Sequence, residues 1–216
     1  MQHWQATTSD SGGEAMQERI GEVIEASTIG FTAGAYELLA APPFGALVRA
    51  QSREAGVAVY GLVYDIRTGS KEPGGRALVR GRTYSGRELY DDEIYQEHPD
   101  LAEVLQTEFS ALTVGFVRND RIYQYLPSHP PPVHYSVYEC SGSELIQFSE
   151  VADFFRTPLF ANNIPGDDLL AATIRAAARA RTGAEREYLV QAGREVASLL
   201  KDDYDRLSAI LRRIRP

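Results

Sequence analysis

The chain has 216 residues, 44% of them hydrophobic, and a formal net charge of −8 from 22 basic and 30 acidic residues. That length buries one sizeable core without covalent staples, and the single cysteine, Cys140, excludes an internal disulfide and a cysteine-rich zinc site. Residues 166–216 balance at +2 and the preceding part at −10, so the main body repels phosphate backbones and direct nucleic-acid binding is not expected.

Residues 1–18 are polar, with Ser, Thr and Gly and no hydrophobic period, and read as a flexible tail. They lack the basic start and apolar run of a signal peptide. No stretch approaches the roughly 18 apolar residues of a membrane span. A cytoplasmic protein is expected, and the cysteine usage agrees with a reducing compartment.

Order begins at "RIGEVIEAST", where Ile20, Val23 and Ile24 indicate a strand. "FTAGAYELL" follows as a second strand, with Phe31, Ala33, Ala35 and Glu37 on one face. "APPFGALVRAQ" turns at Pro42 and Pro43 into a third, and "VAVYGLVYDIRTG" is the strongest strand signal in the chain. "KEPGGR" is a turn and "ALVRGRTY" a shorter strand. The pattern then changes. Over "DDEIYQEHPDLAEVLQTEF", Ile94 and Tyr95 suggest a short helix ended by Pro99, and a second helix starts at Asp100 with Leu101, Val104 and Leu105 on one face. "SALTVGFVRNDRIYQYLP" is a hairpin turning at Asn119 and Asp120, and "VHYSVYECS" is a last strand.

From Ser143 the chain is helical. Ser141 or Ser143 caps a helix that Pro158 ends. "PGDDLLAATIRAAARARTG" opens on acids and closes on arginines and Gly183, matching both ends of a helix dipole. A final long helix carries Leu200, Tyr204, Leu207, Leu211 and Ile214 at 4,3,4,3 spacing, an apolar stripe suited to packing on another helix. The expected fold is mainly β with α: a small closed β-barrel over 19–141 with a helical insert at about 88–107, then a helical hairpin or bundle over 142–216.

No catalytic residue is assigned. Neither lysine, Lys71 or Lys201, follows a phosphate-binding loop, and no HExxH or GxSxG occurs. No cofactor is implied. Cys140 alternates with Val137 and Tyr138 and reads as a small packing residue. The acidic run "YDDEIYQEHPD" is the alternative enzyme site. Asp92, Glu93, Glu97 and His98 would hold a divalent metal for a hydrolase or nuclease, although Glu93 and Glu97 at four-residue spacing also describe a solvated helix face. His129 and His134 flank the run Pro130, Pro131, Pro132. A polyproline segment rises about 3 Å per residue, so it separates the two imidazoles and reads as a stiff connector. A further alternative is a single-strand-binding barrel stacking bases on Tyr123, Tyr125, Tyr135 and Tyr138, against which the acidic body weighs.

"IGEVIEASTIGFTAGAYELLAAPPFGALVRA" and "VYGLVYDIRTGS" resemble the HAS-barrel, the small β-barrel shared by HerA-type DNA translocases and rotary ATP synthase catalytic subunits. "DDEIYQEHPDLAEVLQTEFSALTVGF" and "YDRLSAILRRI" resemble a stand-alone bacterial form. The resemblance implies assembly rather than catalysis, because the chain lacks the ATPase core. It implies an accessory subunit that associates with a HerA-like ATPase, with a NurA-like nuclease, or with both, in DNA processing or repair. The expected contact residues are Tyr125 and Tyr135 beside the proline run and the stripe Leu200, Tyr204, Leu207, Leu211 and Ile214. That stripe also leaves self-association open.

Overall fold

The computed structural model describes residues 18–82 and 86–215. The expected tail lies outside these residues except for Glu18. Seven strands form: β1 (Arg19–Ser27), β2 (Gly30–Ala35), β3 (Leu47–Gln51), β4 (Val57–Ser70), β5 (Leu105–Arg118), β6 (Arg121–Tyr123) and β7 (Ser136–Glu139). All pairings are antiparallel, in the order β2-β1-β7-β3-β4-β5-β6. β2 also pairs with β5, which closes six strands into a barrel and leaves β6 outside the ring.

The inward side chains explain the small bore. Val23, Phe31, Ala33, Ala50, Phe109 and Ala111 are among those packed inside. Phe31 fits because position 61 is glycine: a Cβ there would stand 2.9 Å from its ring and 2.8 Å from the Ala111 methyl. The outer face of the same wall is apolar too. Leu47, Tyr60, Leu62, Leu112 and Val114 face the helices, so residues 57–63 of β4 are buried without alternation. Past Val63, β4 continues to Ser70 paired with β5 on one side only.

The β5–β6 turn is Asn119–Asp120, with φ of 50° and 61°, the left-handed pair that matches the twist of a hairpin. The insert holds α1 (Asp92–Glu97) and α2 (Leu101–Val104). Leu105 already belongs to β5, so the expected second helix shrinks to one turn. Leu105, expected on the face of that helix, instead opens a strand that barrel closure demands. The expected strand "ALVRGRTY" is absent among the described residues, where Arg82 forms only an isolated bridge with Glu88. β2 stops at Ala35, leaving Glu37 beyond it.

The helical region comprises α3 (Gly142–Phe148), a 3₁₀ turn at Asp153–Phe155, α4 (Arg156–Phe160), α5 (Gly166–Ala180), α6 (Glu185–Leu199) and α7 (Tyr204–Arg213). Ser141 caps α3 in a reciprocal box: its hydroxyl accepts from the Glu144 amide at 3.2 Å, and its amide donates to the Glu144 carboxylate at 2.9 Å. That helix ends at Phe148, well before Pro158. Pro158 instead lies buried in the first turn of α4, where a missing amide costs nothing. The last helix is broken at 200–203 because Asp203 caps a new start, accepting from the Arg206 amide at 3.1 Å.

Three polar contacts seat the helices on the barrel wall. The Thr173 hydroxyl donates to the Gly45 carbonyl at 3.0 Å. Arg49 of β3 pairs with Glu144 at 3.1 Å. The Gln124 amide nitrogen, just after β6, donates to the carbonyls of Phe148 (2.6 Å) and Val151 (3.0 Å), while its oxygen accepts from the Phe154 amide at 3.0 Å. Around this clamp Phe148, Phe154 and Tyr60 pack ring to ring at about 5 Å. Gln124→Leu keeps the size but strands three backbone groups, and is expected to lower unfolding stability by about 3 kcal/mol in urea titration.

Candidate partner-binding surface

The Gln124 clamp fixes where the chain emerges from the hairpin. The next residue, Tyr125, is 62% exposed. Its ring stands edge-on to Phe116 at 5.4 Å and to Tyr123 at 5.6 Å, and those two rings stack at 5.0 Å. The Arg118 and Arg121 guanidiniums lie over Phe116 and Tyr123 at 5.5 and 6.0 Å. Tyr125 is therefore a rigid ring presented to solvent.

It borders an open cleft of about 1110 Å³ between the barrel wall and α4. Ile29 at the β1–β2 turn, 64% exposed, stands on one side, with Leu126 and Phe160, 47% and 54% exposed, completing the apolar rim. Arg156 lies over the Phe160 ring at 5.6 Å and holds it in place. Charges at the margin come from Glu25, Arg67, Asp153 and Arg156. Exposed, pre-positioned apolar side chains inside a mixed-charge margin have the anatomy of a protein-binding site.

Tyr135 lies apart from these rings, at the end of the proline connector, and is 36% exposed. Its carbonyl accepts from the Val23 amide at 2.9 Å, and the His134 amide donates to the Val23 carbonyl at 2.7 Å, so the connector is stitched to β1. It passes the β3–β4 hairpin at Ser52, Arg53 and Glu54, with Pro127 and Pro131 buried. His134 has a left-handed φ of 66°, and its Nδ1 meets the Glu22 carboxylate at 3.1 Å. Tyr138 is engaged by Arg49, whose guanidinium sits 4.9 Å over its ring. No ring contact links Tyr135 or Tyr138 to Tyr123 or Tyr125 among the described residues.

The apolar stripe divides. Leu200 and Ile214 are buried in the chain's own core, together with Ile210. Leu207 and Leu211 are half-buried against it, and Tyr204 is exposed. In the insert, Asp92, Glu93 and Glu97 are exposed on α1, Glu97 lies 3.8 Å from Arg87, and His98 is half-buried. Among the described residues no three His, Cys, Asp or Glu side chains gather as a metal site. Burial pushes the Cys140 thiol up, and neighbouring Glu144 adds to the effect, so it stays protonated near neutral pH.

Ile29, Leu126 and Phe160 were not singled out from the sequence. Ile29 carried one signal: an aliphatic residue at the tip of a two-residue turn has no packing reason to be there. Phe160 had none, because its exposure depends on where α4 ends.

Residues 20–119 match the family model of the HAS barrel domain. No curated protein matches the chain. The chain thus carries a HAS barrel domain whose matched span ends within the β5–β6 hairpin, and β7 and helices α3–α7 lie beyond it. No helix among the described residues is long and apolar enough to cross a membrane. The acidic run lies inside the matched span. Calorimetric titration of the full chain with Mg²⁺ or Mn²⁺ is expected to give no saturable heat; saturable heat abolished by Glu93→Gln with Glu97→Gln would establish a metal site.

Proposed function

We propose that this chain is a non-catalytic assembly subunit that docks on a HerA-like DNA translocase ATPase, or on the nuclease that works with it, in DNA processing or repair. HAS barrel domains occur in HerA-type ATPases, which supports a partner of that class. The observation that carries the docking role is the cleft at the seam of barrel and helices, where Ile29, Tyr125, Leu126 and Phe160 stand exposed around a preformed groove. Soluble proteins leave few such apolar clusters uncovered, and large exposed ones mark contact surfaces.

Tyr125 is the anchor: a ring already ordered by two neighbours loses little conformational entropy when covered. Tyr135 and Tyr204 are outlying contacts. Leu200 and Ile214 act indirectly, by holding α6 and α7 in the core. The acidic barrel favours a basic partner face and a salt-sensitive association rate. ATP hydrolysis belongs to the partner, since the 216 residues carry no phosphate-loop lysine.

The test is direct binding of the purified full chain to the HerA-like ATPase and, separately, to the nuclease. One of the two is expected to bind. Leu126→Asp and Phe160→Asp should each weaken that binding at least tenfold, about 1.4 kcal/mol, with unchanged circular dichroism. A folded chain that binds neither protein refutes the proposal.

A further inference from the structure

The insert begins with an anomaly. Residues 76–82, "RALVRGR", have the composition of a strand. Among the described residues, however, positions 76–80 make no backbone hydrogen bond. Leu78 and Val79 are 78% and 90% exposed, more than their size and chemistry favour. The segment is anchored only at its far end, where the Leu89 amide donates to the Gly81 carbonyl at 2.9 Å and Arg80 lies 3.6 Å from Asp100. It is a strand without a sheet.

The same chain also has an edge without a neighbour. Residues 65–70 of β4 pair with β5 on one side and with nothing on the other among the described residues. Ile66, Arg67 and Thr68 are exposed there. The loop at 71–75 turns at Gly74, φ 75°, and among the described residues no pairing joins residues 76–82 to their own β4.

We propose that residues 76–82 of one copy add as a strand to the open β4 edge, residues 65–70, of a second copy of this chain. Charge selects this pairing over its rivals. The donor carries Arg76, Arg80 and Arg82 and no carboxylate. Two donors paired with each other would set arginine beside arginine, which opposes association. The β4 edge holds Asp65, ion-paired with its own Arg67 at 2.7 Å, and Glu108 sits across from Arg67 on β5, so the edge carries more acid than base. An antiparallel addition that sets Leu78 beside Arg67 places Arg80 beside Asp65 on the same sheet face and Val79 beside Ile66 on the other. Main-chain hydrogen bonds supply the affinity and the exposed Leu78 and Val79 gain cover, the usual economy of strand addition. Donor and acceptor differ, so every copy both gives and receives, and the assembly closes as a reciprocal pair or a ring.

The experiment needs only the full chain and is independent of the partner proposed above. In a Cys140→Ser background, Arg67→Cys and Leu78→Cys chains are mixed and oxidised. A cross-link between different chains is expected in the mixture and in neither variant alone. By light scattering the unmodified chain should have the mass of two or more copies, and Val79→Pro, at a nearly fully exposed position, should reduce it to one without altering circular dichroism. A single-copy mass for the unmodified chain overturns the proposal. So does an oligomer that survives Val79→Pro, a cross-link in either variant alone, or a 67–78 cross-link that forms within one chain when both cysteines are placed on it.

Discussion

Everything in this molecule hangs on a barrel wall that is apolar on both faces. Phe31, Ala111 and Val59 point inward from β2, β5 and β4, while Tyr60, Leu62, Leu112 and Val114 point outward from the same strands. Each large outward side chain gains about 1.5–3 kcal/mol from being covered. The helices after β7 are therefore as much a requirement of the barrel as an addition to it. Their placement is then refined by polar contacts that tolerate little displacement: Thr173 on the Gly45 carbonyl, Glu144 on Arg49, and Gln124 on three backbone groups at once. A Cβ at position 45 would come within 2.6 Å of the Ala172 methyl, so the approach of α5 to the wall depends on glycine.

The seam between these two parts is where the cleft opens. A wall residue must be covered, but α4 ends at Phe160, and the cleft opens between it and Ile29 at the β1–β2 turn. Ile29 on one side and Phe160 on the other are the uncovered ends of that match. The cleft is a consequence of how the core is closed, and its exposed rings are held by immediate neighbours, Tyr125 by Phe116 and Tyr123 and Phe160 by Arg156. Such a surface changes little on binding, which favours recognition of one partner shape.

Much of the barrel was legible because its signals were local. Val and Ile in period-two runs, Gly and Pro between them, and the Asn119–Asp120 turn each report strand geometry directly. The misreadings fall where a distant element decides. "LQTEF" has the spacing of a helix face, yet Phe109 and Thr107 are needed opposite Ile66 and Thr68 to extend the β4–β5 ribbon. "ALVRGRTY" has strand residues and no neighbour within reach. Pro158 reads as a terminator, but in a first turn it is tolerated. The evenly spaced stripe from Leu200 to Ile214 spans a break at Asp203, so its phase is reset and Ile210 takes the buried place that Tyr204 would otherwise hold. The rim of the cleft was half visible: Tyr125 stood out as an aromatic next to prolines, whereas Phe160 became a surface residue only through the packing of α4.

The proline connector has a meaning for the rim of the barrel that its stiffness alone does not convey. Pro130, Pro131 and Pro132 have no amide hydrogens, and the amides of His134 and Tyr135 are already spent on Val23 and Pro132. The stretch that lies along Ser52–Glu54 and Ala26, residues 127–133, thus keeps amide donors only at Ser128, His129 and Val133. At that rim, accidental sheet growth is blocked by composition. Whatever main-chain contacts the protein makes with its surroundings are thereby directed to the opposite side, where the long β4–β5 ribbon projects.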